Sequence, residues 1–141
     1  MTTSKHILIF LLVMTASYSC AQQRKRIYKV QSAYTASYLK AKNSFEPYKE
    51  VKASRSGWLV EFSSSRITFK KSKSTEIYEI VETEGAHENA IMYSVRNQQG
   101  TTSVIELKST KIDSYVSINI DVFELNKDGS YKASTKYVVK K

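Results

Sequence analysis

The chain has 141 residues and a formal net charge of +9, from 22 Lys and Arg residues against 13 Asp and Glu. A single cysteine excludes an internal disulfide, so the fold must be held together by burial of apolar side chains. Four glycines and one proline exclude a collagen-like or linker-rich chain, and the length suits one domain with one core.

The N-terminus has the pattern of an export signal. Lys5 supplies a positive charge ahead of an unbroken apolar run, Ile7 to Met14. That run is too short for a membrane-spanning helix, which needs about 20 residues, and it fits the central part of a signal peptide. No transmembrane segment is therefore predicted.

Two processing schemes compete after the apolar run. Small residues at Ser19 and Ala21 predict cleavage after Ala21, so that residues 1–21 are a signal peptide and residues 22–141 form a single β-domain. The alternative is a lipoprotein signal that ends before Cys20, which would then carry the lipid. The first scheme predicts a periplasmic or extracellular protein, and the second predicts an outer-membrane lipoprotein.

The first predicted strand runs from Ile27 to Leu39, where apolar and polar residues alternate with the two-residue period of a half-buried strand. This period places Tyr28, Tyr34 and Tyr38 on one face. A polar loop from Lys40 to Pro47 follows. Residues 48–53 are interpreted as a short strand or a single turn.

The central stretch, residues 57–85, predicts three strands joined by short turns. Trp58 and Phe62 share one face of the first of these strands by the two-residue period. The third has apolar residues on both faces, including Ile80, as expected of a strand covered on both sides.

Four more strands are predicted, over residues 90–96, 101–108, 115–125 and 130–139. The connections at 97–100 and 126–129 each contain a glycine, and Asp128-Gly129 is a dipeptide favoured by tight hairpins. In the strand over 115–125, Ile118 lies on the predicted core face, whereas Phe123 falls on the opposite face.

These elements predict an all-β fold of eight or nine strands in an antiparallel meander. Short connections favour pairing between strands that are consecutive in the sequence. A meander of this size leaves open edges unless it closes, so an up-and-down barrel is preferred and a two-sheet sandwich is the alternative.

Charge is distributed unevenly along the predicted domain. Residues 22–73 carry a net charge of +10, residues 74–124 carry −6 and residues 125–141 carry +4. A basic face suits an anionic component of the cell envelope, although lysines that protect sheet edges explain the same pattern without a ligand. Export argues against nucleic acid as a partner.

Tyrosines interleaved with lysines form the one candidate binding surface. Such side chains offer large apolar rings, polar tips and positive charge to a glycan or a protein partner. The candidate surface comprises Tyr28, Tyr34, Tyr38, Tyr48, Lys29, Lys40 and Lys42. Positions in the core or at the barrel mouth are the preferred explanation of the tyrosines, since aromatic residues favour strands. The predicted core anchors are Trp58, Phe62, Ile80 and Ile118.

Catalytic and cofactor signals are weak. The domain has one histidine, His87, in a polar turn and apart from any metal-ligand spacing, so neither a metal nor a cofactor is predicted. A run of acids, Glu76, Glu79, Glu82 and Glu84, would support a hydrolase only if two of them shared a pocket. The chain is therefore interpreted as a non-enzyme.

The domain resembles a loose group of small exported bacterial proteins with a lipocalin-like β-meander. The resemblance lies in the strand at Ile27 to Leu39, in Tyr48, in Trp58-x-Val60-x-Phe62, in Arg66 to Phe69, in Ile77-Tyr78-x-Ile80-Val81, in Asn97-x-x-Gly100 before Val104-Ile105, and in Val116-x-Ile118. These are core positions, so the resemblance implies a barrel fold and carries no functional residue across.

The expected function is binding. The first hypothesis is a protein-interaction module of the inhibitor or immunity type, because catalytic groups are scarce while charge and tyrosines are concentrated. The second is a lipocalin-like carrier of a small apolar ligand.

Overall fold

The computed structural model describes residues 25–51, 57–85 and 89–141. The predicted export signal, Cys20 and His87 lie outside these residues. The described residues form a single 3-10 turn (Lys40–Lys42) and ten strands: β1 (Arg26–Leu39), β2 (Ser44–Phe45), β3 (Lys49–Glu50), β4 (Leu59–Phe62), β5 (Arg66–Lys70), β6 (Thr75–Glu84), β7 (Ala90–Asn97), β8 (Thr102–Ile112), β9 (Tyr115–Leu125) and β10 (Tyr131–Lys140). In these three ranges, no helix has the length and apolar character needed to cross a bilayer.

Eight of these strands close into an antiparallel up-and-down barrel. From β4 to β10 each strand pairs with the next in the sequence, and β1 pairs with both β4 and β10. Closure is visible in the register, where Ala33 of β1 lies opposite Tyr137 of β10. The preferred fold, a closed barrel rather than a sandwich, is confirmed.

The two short strands lie along an edge of β1 that β4 leaves uncovered. β1 is long, and β4 pairs only with its first residues, from Arg26 to Lys29. Further along the same strand Tyr34 pairs with Glu50 of β3, and Tyr38 pairs with Phe45 of β2. β2 lies within the predicted loop, and β3 agrees with the short strand that was one of the two interpretations of residues 48–53. Both return along β1 and add backbone hydrogen bonds to it.

The core fills the middle of the barrel. Phe62, Ile67, Phe69, Ile105 and Ile120 are among the largest side chains with almost no exposure. Of the four residues expected to anchor the core, Phe62 is fully buried, while Trp58, Ile80 and Ile118 are half-buried and pack against the same cluster.

A β-bulge changes which side chains of β1 face the core. The pairing of β1 with β10 shifts between Val30 and Ser32, so that the inward face passes from even to odd positions. Tyr28 and Ala33 are both in the core cluster, whereas Tyr34 falls on the outer face. The sequence predicted one face for all the tyrosines of this strand, and the extra residue of the bulge makes that prediction wrong.

Candidate functional site

The outer wall of the barrel carries a second group of buried residues. Ala36 of β1 pairs with Ser134 of β10, and both are buried although they lie on the face opposite the core. They are covered from outside, because the hydroxyl of Tyr48 donates a hydrogen bond to Oγ of Ser134 at 3.0 Å. The two small side chains thus leave room for a tyrosine ring to lie across the wall.

Four more rings pack beside this point. Tyr38 lies 5.1 Å from Phe45 and 5.6 Å from Tyr131, measured between ring centroids. Phe123 lies 5.9 Å from Phe45 and 5.6 Å from Tyr131. Tilted and edge-on pairs at these separations are the favoured aromatic geometries. We call Tyr38, Phe45, Tyr48, Phe123 and Tyr131 the outer aromatic patch.

The outer aromatic patch is only partly shielded from solvent. Tyr131 is 42% exposed and Tyr48 is 36% exposed, while the other three rings are half-buried. Rings that support one another on a rigid wall lose little conformational entropy when a partner covers them. The patch therefore combines apolar area, hydroxyl tips and rigidity.

Positive charge lines one edge of the patch. Nζ of Lys136 sits 4.5 Å from the centroid of the Tyr48 ring, a cation–π contact. Lys40 and Lys42 are exposed in the 3-10 turn that follows Tyr38. Hydrogen bonds from the Ser130 hydroxyl and backbone lower the pKa of Asp128, and the positive charge of Lys40 contributes, which places Lys40 near the β9–β10 turn.

A buried carboxylate lies next to the patch. Asp121 of β9 pairs with Lys136 on one side and with Glu106 of β8 on the other. Its Oδ1 is buried and has no hydrogen-bond partner among the residues the structure describes. Burial raises the pKa of Asp121 to about 6; the negative charge of Glu106 adds to this, while Lys136 and Lys108 oppose it.

The structure brings together some of the residues proposed as a binding surface and separates others. Tyr38 and Tyr48 belong to the outer aromatic patch. Tyr34 of β1 pairs with Lys136 of β10. Lys40 and Lys42 lie in the 3-10 turn that follows Tyr38. Tyr28 is buried in the core, so it is not available to a partner. Lys29 is exposed, but it lies beside Leu59 and Lys140, away from the patch.

Sequence reasoning missed four members of this surface: Phe45, Phe123, Tyr131 and Lys136. Phe45 lay in a predicted loop, and the other three come from strands far along the chain. One signal was present, since Phe123 falls on the face of β9 opposite its core residues. An aromatic residue on a non-core face is a hint that something covers that face.

One mouth of the barrel holds two carboxylates. A recess of about 330 Å³ is lined by Glu76 and Tyr78 of β6 and by Glu124 of β9. Nζ of Lys71 lies 2.7 Å from Oε1 of Glu76 and 5.6 Å from the centroid of the Trp58 ring. Glu124 is exposed and Glu76 is already paired, an arrangement that does not favour the buried acid of a two-carboxylate hydrolase.

Two tyrosines near this mouth are shielded from solvent: Tyr78 is half-buried in the lining of the recess, and Tyr137 is buried in the core. Burial raises the pKa of the Tyr78 hydroxyl, and the negative charge of Glu76 raises it further. The pKa of Tyr137 is raised by the same two causes in the same order. Of the acidic run noted in the sequence, Glu76 lines this recess, whereas Glu79, Glu82 and Glu84 are exposed elsewhere on β6.

The opposite mouth is more apolar. A recess of about 490 Å³ has Tyr28, Ile91, Leu107 and Ile118 in its lining and Arg26 at its rim. The Arg26 guanidinium donates a hydrogen bond to the Tyr93 hydroxyl at 2.9 Å and lies over the Phe62 ring. This end can accept an apolar group next to a fixed positive charge.

Within the three described ranges, no three or more His, Cys, Asp or Glu side chains are grouped closely enough to hold a metal ion. Comparisons with protein-family models, with curated proteins and with solved structures find no match to this chain.

Proposed function

We propose that this chain is an exported, non-catalytic protein that binds a protein partner through the outer aromatic patch, in the manner of an inhibitor or immunity protein. The observation that carries the proposal is the packing of five aromatic side chains on the outside of a barrel whose core is already complete. Interface centres are enriched in such rings, and tyrosine is prominent among residues that dominate binding energy. Export is supported by the signal pattern around Ile7 to Met14.

The chemistry of the partner follows from the edge of the patch. Lys40, Lys42 and Lys136 lie along one edge of the patch, so the complementary surface carries acidic groups beside an apolar area. Complementary charge of this kind accelerates association and selects among partners. An anionic envelope component other than a protein would also meet the lysines, and it is the alternative occupant of this surface.

The direct test is capture of a partner from cell-envelope extracts by wild-type protein and by a Tyr131→Ser variant. Tyr131 is at the exposed edge of the patch, so its loss should weaken a saturable interaction at least tenfold while the barrel stays folded. A Val81→Ser variant, which removes another exposed apolar side chain from the wall, should bind as well as wild type. Equal binding by all three proteins would refute the assignment of the interface to the patch.

The apolar mouth favours a second candidate function, a lipocalin-like carrier of a small apolar ligand. Because the middle of the barrel is filled by Phe62, Phe69 and Ile105, the ligand would sit in the recess near Ile91 rather than along the barrel axis. Arg26, at the rim of the recess, would form an ion pair with an anionic head group of the ligand.

A fluorescent fatty acid, cis-parinaric acid, is a suitable probe for this alternative. Wild type should bind it with saturation, and Ile91→Trp, which fills the recess from a half-buried position, should weaken binding about tenfold. Circular dichroism would verify that the variant is folded. The absence of saturable binding to the wild type would end this alternative and would leave the patch proposal intact.

A further inference from the structure

The β8–β9 hairpin projects beyond the end of the barrel. The last pair between β7 and β8 is Ala90 with Lys108, and the pairing of β9 with β10 reaches no further than Ile118 with Val139. One backbone hydrogen bond follows, from the amide of Ser109 to the carbonyl of Asn89. Beyond it, among the residues that the structure describes, β8 and β9 pair only with each other, ending at Ile112 opposite Tyr115. About three residues of strand at roughly 3.3 Å each make a projection of about 10 Å.

The tip of this hairpin is apolar and exposed. Ile112 is 60% exposed, Tyr115 is 63% exposed and Val116 is 51% exposed. Side chains of successive strand residues point to opposite faces, so Tyr115 and Val116 emerge on different sides of the ribbon. A flat protein surface can cover only one side of such a tip. A bilayer interface surrounds an inserted tip, so it covers the apolar side chains on both sides.

Positive charge gathers around the same end of the barrel. Lys108 and Lys111 lie on β8, Lys140 ends β10 and is followed by Lys141, and Lys25 directly precedes Arg26, the first residue of β1. Asp113, in the turn of the hairpin, is the acid next to the tip, whereas Glu106, Asp121 and Glu124 lie further from the tip along β8 and β9. The acidic end of β6, with Glu82 and Glu84, lies beyond β7 on another side of the mouth.

From these observations we infer that the β8–β9 tip is a membrane-docking element, which inserts Ile112, Tyr115 and Val116 into the interface of an anionic bilayer while the surrounding lysines contact the head groups. The basic residues attract the protein to the anionic bilayer surface over a distance, and the apolar side chains of the tip are buried in the interface. This surface is distinct from the outer aromatic patch, which lies toward the opposite end of the barrel and stays free for a partner.

The N-terminal sequence agrees with this orientation. Four residues separate Cys20 from Lys25, so the two Cα atoms can be at most about 18 Å apart. A lipid on Cys20 would therefore hold this end of the barrel close to the bilayer, and the tip would add a second contact. Stable membrane attachment commonly requires two such signals.

The experiment uses residues 22–141, which contain every strand of the closed barrel and lack the apolar run at 7–14 that would bind lipid by itself. Binding is measured by flotation with vesicles of phosphatidylcholine mixed with phosphatidylglycerol, and with vesicles of phosphatidylcholine alone. We expect at least tenfold stronger binding to the anionic vesicles, and weaker binding as the salt concentration rises.

The decisive variant replaces Ile112, Tyr115 and Val116 together with serine. It should bind the anionic vesicles at least tenfold more weakly than wild type, whereas the matched Val81→Ser variant should bind as well as wild type. Equal binding by the triple variant would overturn the inference. So would a wild-type protein that forms dimers without lipid when the triple variant is monomeric, since a second copy of the chain would then be what covers the tip.

Discussion

Replacing Phe69 with alanine should lower the free energy of unfolding by about 4 kcal/mol. Phe69 is 1% exposed and packs between Tyr78 at 5.7 Å and Tyr137 at 5.0 Å, measured between ring centroids. The substitution removes a ring from the middle of a filled barrel, where strands on all sides prevent collapse around the cavity. Urea unfolding followed by the fluorescence of Trp58, the single tryptophan of the chain, measures this change.

Phe45→Ala is the matched control for that prediction. Phe45 contacts three rings and Phe69 contacts two, but Phe45 lies half-buried on the outer wall, where solvent replaces the lost ring. Its loss should cost about 1–2 kcal/mol. Equal losses for the two variants would contradict the assignment of the core to the inside of the barrel and of the patch to its surface.

Replacing Asp121 with asparagine should stabilise the protein at neutral pH by about 1–2 kcal/mol. The carboxylate is buried, its Oδ1 has no hydrogen-bond partner among the residues that the structure describes, and its cross-strand neighbour Glu106 repels it. Removing such an incompletely paired buried charge relieves a desolvation cost. Lys136 does not cancel that cost, because its ammonium group lies over the Tyr48 ring.

The same residue gives a pH dependence with a definite sign. Burial raises the pKa of Asp121 from 3.8 to about 6, so between these two pH values the folded state holds a proton that the unfolded state releases. The free energy of unfolding therefore falls as the pH rises through this interval, by up to about 2–3 kcal/mol from this group. Asp121→Asn should remove this pH-dependent contribution to the free energy of unfolding.

The measurement is the difference in unfolding free energy between wild type and Asp121→Asn across this pH range. Subtraction cancels the other titrating groups, and the difference should grow with rising pH and level off above the folded-state pKa. Asp113→Asn, which removes an exposed carboxyl group in the β8–β9 turn, is the matched control for the loss of one carboxylate. A difference that is independent of pH would mean that Asp121 keeps its ordinary pKa in the folded protein.

Interior and surface of the barrel were predictable to different degrees. The two-residue period placed Phe62 in the core and Ile118 against it, because a strand with one buried face must repeat apolar residues in that way. The bulge after Val30 was not predictable, since no residue there marks it. It moved Tyr28 inward and Tyr34 outward, and so divided the tyrosines that the sequence had grouped.

Local patterns in the sequence were sufficient for the class of fold, the succession of strands and the antiparallel pairing of neighbours, because short turns leave consecutive strands little choice of partner. Tertiary structure alone decided the outer aromatic patch and the projecting tip. Phe45, Phe123 and Tyr131 meet only when β10 closes onto β1, and Ile112 and Tyr115 are exposed only because β7 and β10 end before the β8–β9 hairpin does. Both features depend on register between distant strands, which is set by closure of the whole barrel rather than by the residues of any one segment.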